Sequence, residues 1–363
     1  MPLPCATQTD APWTLTCETE ANILVGAGQD WRVKQQNRLR PVVGLRVSDC
    51  AKSRTAGFFL GSSRITVVGS YATGLTMKVE RMPGTGETLL GTGYRVDYGG
   101  KGSNQAVACA RLGETVSFVA SIGTDPFSEM ALGLYRDEGI DITHVKRTAG
   151  APTGVGFIIV EAASGNNCIT IDPGANELLT AEDVSQCEAA FHSSAVVLTQ
   201  LEIPVAAAEA ALRRGRERGA ITILNPAPVR PLPPSILQLV DVLTPNQSEA
   251  RVLAGLAPDA DVEAEKVARD LIRQGVKQVV MTLGESGALI VTASSSTRVP
   301  ALRMVAVDTT GAGAAFNAGL AMALAGGAGG RAAVQFAVVP GGLAGPVEGG
   351  LPSLPPRSRA LPA

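Results

Sequence analysis

From Ile65 onward, short apolar runs bounded by turn residues alternate with stretches in which apolar positions return every three or four residues. Ile65-Thr66-Val67-Val68-Gly69 reads as a buried strand running into a turn. Val116 to Ile122, Ala195 to Leu201, Ile221 to Leu224, Val240 to Leu243 and Val279 to Leu283 read the same way. Between them, residues 205 to 218 and 262 to 274 have the spacing of amphipathic helices, with Gly219 and Gly275 where such helices stop. This alternation predicts an α/β fold: a doubly wound, mostly parallel sheet flanked by helices. Two insertions interrupt it, near 77 to 98 and 142 to 172, each with short β-like runs and glycines. Neither is long enough to be a domain, so they are expected to pair as a small β lid over the sheet edge.

Toward the C-terminus, Phe316, Leu320 and Leu324 recur four apart as one apolar ridge, with Ala315, Ala318, Ala321 and Ala323 as strong helix formers between them. A further helix is expected from Arg331 to Leu343. Pro340 falls inside it, where the missing N–H and the ring clash should kink or stop the helix at a cost of about 3 kcal/mol. Residues 1 to 63 stand apart, with seven basic and five acidic side chains, isolated fragments such as Phe58-Phe59-Leu60, and no sustained period. They are expected to be a poorly ordered extension, or the product of a start codon assigned too far upstream. The organised region is set at 64 to 357, followed by a tail at 358 to 363.

Composition narrows the function classes. The 363 residues are 45% hydrophobic, enough for the core of an enzyme-sized domain. A net charge of -2, an aromatic content of 4% and no basic block argue against a nucleic-acid groove. Six cysteines lie far apart, and His144 and His192 are the two histidines, so neither a zinc site, a disulfide framework nor a Ser/His/Asp triad is suggested. With no 18-residue apolar run and no signal-peptide pattern, a cytoplasmic protein without a membrane partner is expected.

Four clusters carry chemistry. In Asp308-Thr309-Thr310-Gly311-Ala312-Gly313-Ala314 the glycines let backbone pass close to a ligand, and the helix that follows offers free N–H groups where a phosphoryl charge is favoured. In Tyr98-Gly99-Gly100-Lys101-Gly102-Ser103-Asn104, three glycines around a lysine open another helix, as a polar-ligand site or as a tight turn. The pattern is not a Walker loop, because residue 102 is Gly. Asn246 and Glu249, three apart at a strand end and helix start, are spaced either for ligand contact or for a capping box. Thr282-Leu283-Gly284-Glu285-Ser286-Gly287 is a strand-end glycine turn that an ordinary hairpin would also show.

These clusters in this order, together with Pro83-Gly84-Thr85-Gly86-Glu87-Thr88, Gln200-Leu201-Glu202 and Asn225-Pro226-Ala227-Pro228, resemble the ribokinase family of carbohydrate kinases, also called the phosphofructokinase-B family, over about residues 65 to 355. The resemblance implies transfer of the ATP γ-phosphoryl group to a sugar primary hydroxyl, with D-ribose as the first substrate, Mg2+ as cofactor and a monovalent cation such as K+ as activator. It implies a sugar site at Ala72, Thr73, Gly74, Gly100, Lys101, Gly102, Ser103, Asn104 and Glu202, and an anion hole at Gly311, Ala312, Gly313 and Ala314. On the nucleotide side it implies Asn246, Thr282, Leu283, Gly284, Glu285, Ser286, Gly287, Gly313 and Val338, with Glu249 associated with Mg2+. Asp308, Thr310, Ala344, Val347, Gly349 and Ser353 fall where the family holds its monovalent cation, and a homodimer through the lid is implied as well.

Two departures stand out. The family pattern continues after Gly313 with an aspartate that takes the proton of the attacking hydroxyl, and residue 314 here is Ala. A positioned base is typically worth about 10² to 10⁴ in rate, while positioning and electrostatics carry much of the rest of phosphoryl transfer. Ala72 and Gly74 stand where the family commonly presents Asn and Asp to sugar hydroxyls. The alternatives are therefore a sugar- and nucleotide-binding protein without full catalysis, or a kinase for another sugar or a nucleoside.

Overall fold

A computed structural model describes residues 63–302, 304, 308–347 and 349–360; residues 1–62 of the extension expected at 1–63, and 361–363 of the tail, lie outside the described residues. Among them the strands are β1 (Arg64–Val68), β2 (Ala72–Val79), β3 (Thr92–Gly99), β4 (Thr115–Ile122), β5 (Val145–Arg147), β6 (Val155–Glu161), β7 (Asn167–Asp172), β8 (Val196–Thr199), β9 (Ile221–Leu224), β10 (Val242–Leu243), β11 (Gln278–Thr282), β12 (Ala288–Thr292) and β13 (Ser296–Val299). The helices are α1 (Lys101–Arg111), α2 (Pro126–Asp137), α3 (Ala181–Gln186), α4 (Glu188–Phe191), α5 (Val205–Glu217), α6 (Pro234–Leu237), α7 (Gln247–Leu253), α8 (Ala264–Arg273), α9 (Ala312–Ala325), α10 (Gly330–Ala344), α11 (Gly350–Ser353) and α12 (Arg357–Ala360). Among the described residues, no helix is long and apolar enough to cross a membrane.

One sheet runs β13-β12-β11-β10-β9-β8-β1-β4-β5 and is parallel from β11 to β5. Its central strands are largely apolar and buried because helices cover both faces, giving two cores: one around Ile65, Val67, Phe118 and Leu198, the other around Val68, Val119, Val197 and Leu224. The alternation along each strand, neighbour by neighbour, divides side chains between the two faces. Gly219 (φ 76°) and Gly275 (φ 114°) close α5 and α8 in the left-handed region, as their positions in the pattern suggested.

The small sheet, β3-β2-β6-β7, is built from the two insertions, with boundaries shifted from the sequence reading. β2 begins at Ala72 rather than near residue 77, because the chain leaves β1 at Val68 and resumes an extended run after three residues. Val145–Arg147, assigned by pattern to the second insertion, pairs instead with β4 at the edge of the large sheet. β12 and β13 add an antiparallel edge that the parallel pattern did not include.

α9 is buried on every side from Ala315 to Ala323, not along the one ridge of Phe316, Leu320 and Leu324, since its alanines and Gly319 let α1 and α10 approach closely. Pro340 does not stop the helix, since α10 continues through it to Ala344. Pro340 is buried, and a Cβ on Gly319 would lie 2.6 Å from its ring. The proline fills a notch in the neighbouring helix, and that packing offsets the lost backbone bond.

Candidate active site at the C-terminal strand ends

Parallel strands deliver their C-terminal ends to one side of a sheet, and the sequence clusters sit there: Gly69 and Ser70 after β1, Gln200 to Glu202 after β8, Asn225 after β9, Thr244 to Glu249 after β10, and Leu283 to Gly287 after β11. The start of α1 is pinned against the first of these. Gly100 has φ 88°, and a Cβ on Gly102 would lie 2.4 Å from Ser70 N, so α1 reaches the β1 turn backbone to backbone. Glu202 Oε2 accepts from Lys101 N at 2.7 Å and from Ser70 Oγ at 2.5 Å, placing a carboxylate at the positive end of the helix. α1 begins at Lys101, so Lys101 and Gly102 belong to its first turn.

Ser103 is buried, with its N–H on Ser70 O at 2.8 Å. Asn104 donates its N–H to Gly100 O at 2.9 Å, and its Oδ1 is a buried acceptor that no described group meets. Such an atom is costly unless a ligand or water satisfies it. Ala72 pairs with Gly99, and Gly74 with Asp97 and Gly156; buried Thr73 takes its N–H to Gly154 O at 2.8 Å. Asn176, which the sequence reading passed over, clamps this corner: Tyr71 N donates to Asn176 Oδ1 at 2.9 Å, and Asn176 Nδ2 donates to Tyr71 O at 2.7 Å. Its only local signal was an asparagine two residues after Gly174.

On the other side, Asn246 and Glu249 form the capping box that their spacing allowed. Glu249 N donates to Asn246 Oδ1, and Asn246 N to Glu249 Oε2, both at 2.8 Å. Burial pushes the Glu249 carboxyl up, against the opposing pull of the Asn246 N–H and of the Lys101 charge. Asn246 is bridged to Thr282. Thr282 to Gly287 does turn the β11–β12 hairpin: Leu283 N meets Gly287 O at 2.8 Å, Glu285 and Ser286 lie in the turn, and Gly284 (φ 59°) opens to free space. Val338 is half-buried on α10 and packs against the core.

Gly311 has φ 90°, and a Cβ there would lie 2.5 Å from Ser353 Oγ; its need for glycine comes from the protein itself, whereas Gly313 faces open space. Among the described residues, no group accepts from the N–H of Gly313 or Ala314. Ala314 is half-buried in this first turn.

The proposed cation residues come together beside it. Asp308 accepts from Thr310 N and from Gly349 N, both at 2.8 Å; burial works against its charge, yet these bonds outweigh it and hold the carboxyl below its usual range. Ser353 Oγ lies 3.0 Å from Thr310 O and 2.7 Å from Gly350 O, and Ala344 O accepts from Val347 N at 3.1 Å. One carboxylate and several carbonyls in two facing loops suit a hard monovalent cation. Arg111, another residue without a sequence signal, braces the outer loop: its guanidinium donates to Leu351 O at 2.8 Å and to Glu138 Oε1 at 2.6 Å. Among the described residues, no group of three or more His, Cys, Asp or Glu side chains could hold a metal.

The sequence profile described as pfkB family carbohydrate kinase matches residues 62–355. A ribokinase of Haemophilus influenzae is 36% identical over 297 residues, 82% of this chain and 97% of that one. A deoxyribokinase of Salmonella typhi is 35% identical over 253 residues, 69% of this chain and 82% of that one. The structure of an Arabidopsis thaliana ribokinase complexed with ribose and ATP superposes with a TM-score of 0.76 at 28% identity, covering 83% of this chain and 98% of that one.

Proposed function

The chain belongs to the pfkB family of carbohydrate kinases, and from that premise we propose that it moves the γ-phosphoryl group of ATP to the primary hydroxyl of a sugar, D-ribose first, giving D-ribose 5-phosphate. The observation that carries this reading is that the glycine-rich start of α1, the Asn246–Glu249 capping box, the 282–287 turn and, through Thr244 and Asn317, the first turn of α9 all gather at the C-terminal strand ends. In this reading Lys101, Asn104 and Glu202 hold the sugar, with Gly100 and Gly102 leaving room for it. Asn246 and the 282–287 turn hold the nucleotide, and the N–H groups of Gly313 and Ala314 receive the charge of the transferred group. The sugar oxygen forms the new bond to γ-phosphorus as the bond to the β-phosphate oxygen breaks. Glu249 and the phosphates would hold Mg2+, which neutralises phosphate charge when bound. Asp308 with the carbonyls around Thr310, Ala344, Val347, Gly349 and Ser353 would hold K+.

Ala314 favours a second reading, a sugar and nucleotide binder with impaired catalysis, because residue 314 offers the hydroxyl proton no acceptor. Both readings require nucleotide binding, since the contacts proposed for ATP use backbone N–H groups and turns that Ala leaves in place. Calorimetry with MgATP is expected to show binding at or below millimolar nucleotide; a folded protein that binds none would sink both readings. A phosphoryl-transfer assay over ribose, deoxyribose, hexoses and nucleosides then separates the substrates.

We also propose a homodimer through the small sheet. Ile158 lies opposite Ile169, and Ile171 opposite Gly156, so the three isoleucines share one face, with Ile169 and Ile171 more than half exposed. Sedimentation equilibrium is expected to give a dimer that Ile169→Glu with Ile171→Glu converts to monomer; a wild-type monomer at tens of micromolar would refute it.

A further inference from the structure

Three neighbouring parallel strands are each followed at once by a polar residue: Gln200 after β8, Asn225 after β9 and Thr244 after β10. Thr199 stands opposite Leu224, and Leu224 opposite Leu243, so these polar residues form a row along the C-terminal edge of the sheet. Gln105 of α1 and Asn317 of α9 extend the row upward into the two helices. Gln200 Nε2 donates to Gln105 Oε1, and Gln105 Nε2 donates to Asn225 Oδ1 at 3.1 Å. Asn225 Nδ2 donates to Thr244 O at 2.9 Å, Thr244 Oγ1 to Asn317 Oδ1 at 2.7 Å, and Asn317 Nδ2 to Gly313 O at 2.9 Å. Gln105, Gln200, Thr244 and Asn317 are at most 2% exposed.

Apolar side chains of similar size could fill this space, and a buried polar network costs desolvation that they would avoid. Hydrogen bonds supply direction instead. α9 packs against α1, and a run of directed amide hydrogen bonds sets the rotation and axial position of the two helices more narrowly than apolar contact alone, although Gln200 Oε1 at its start is a buried acceptor that no described group meets. The run ends on the carbonyl of Gly313, in the turn whose free N–H groups form the proposed anion hole.

We infer that Gln105, Asn225, Thr244 and Asn317 are positioning residues for phosphoryl transfer: their relay sets the first turn of α9 against α1, which carries Lys101 and Asn104. The inference rests on the kinase reading, and it concerns none of the residues proposed to touch sugar or nucleotide.

Thr244 gives the cleanest test. Thr244→Val removes the hydroxyl and nearly keeps the shape, and Thr244→Ser keeps the hydroxyl. Dissociation constants for MgATP and MgADP, measured by calorimetry beside the melting temperature, separate positioning from mere stability. The expected result is about a tenfold loss of MgATP affinity in Thr244→Val, a smaller loss for MgADP, and recovery in Thr244→Ser, since the anion hole serves the terminal phosphate. Thr244→Val and Thr244→Ser with the wild-type ATP-to-ADP ratio, whatever their melting temperatures, would overturn the relay and leave the kinase reading standing. A wild-type protein that binds neither nucleotide would overturn both.

Discussion

Ala314→Asp is expected to raise the sugar-dependent rate of phosphoryl transfer by about 10² or more, with little change in the KM for ATP. Residue 314 lies in the first turn of α9, beside the N–H groups proposed to receive the phosphoryl charge. A carboxylate there would act on the attacking hydroxyl in the transition state and would touch neither adenine nor the β-phosphate, so the gain belongs to kcat. The helix would tolerate it, because an acidic side chain in a first turn is favoured by the dipole by about 0.3 to 1 kcal/mol. Asp308, the nearest alternative in sequence, already accepts from Thr310 N and Gly349 N and is held in its ionised form between two loops. Steady-state kinetics on the sugar panel decide the matter. If the unaltered chain turns over at an ordinary kinase rate of about 1 to 100 s⁻¹ and Ala314→Asp changes nothing, residue 314 is not the position of the base.

Gly102→Ala should cost the domain about 3 kcal/mol or more and lower its melting temperature by roughly 5 to 10 °C. A Cβ on Gly102 would lie 2.4 Å from Ser70 N, 2.6 Å from Gly69 C and 2.7 Å from Gly69 Cα. All three are backbone atoms, so relief requires α1 to lift off the end of β1, which also strains the Lys101 N–H bond to Glu202. Gly133→Ala, within α2 and with no atom inside 4 Å of its Cβ position, serves as the control. It should be neutral or stabilise by up to about 1 kcal/mol through helix propensity. Equal melting temperatures for the two variants would show that α1 is not seated as tightly as the geometry requires.

Much of the architecture was legible because burial leaves a periodic trace. Strands such as Ile65–Val68 and Val116–Ile122 are brief, buried and largely apolar, and α5 and α8 stop at glycines in the left-handed region. Boundaries were read less well where local pattern and pairing partner disagree. Nothing within Val145–Arg147 says that it joins β4 rather than the small sheet, and nothing in α10 says that Gly319 of another helix makes room for Pro340. The glycine clusters were legible as sites of close approach, although at Gly102 and Gly311 the atoms approached are the protein's own.

By itself the sequence determined an alternating α/β chain, the order of its glycine and polar clusters, and its family, because each of these is written in neighbouring residues. The tertiary structure decided which polar residues work together. Glu202 caps a helix that begins 101 residues earlier in the chain, Asn176 clamps Tyr71 from 105 residues away, and Gln105, Asn225, Thr244 and Asn317 become one relay. Periodicity records how deeply a residue is buried, but a hydrogen bond needs a partner at one distance and direction. Strand order, set by long-range pairing, is what supplies that partner.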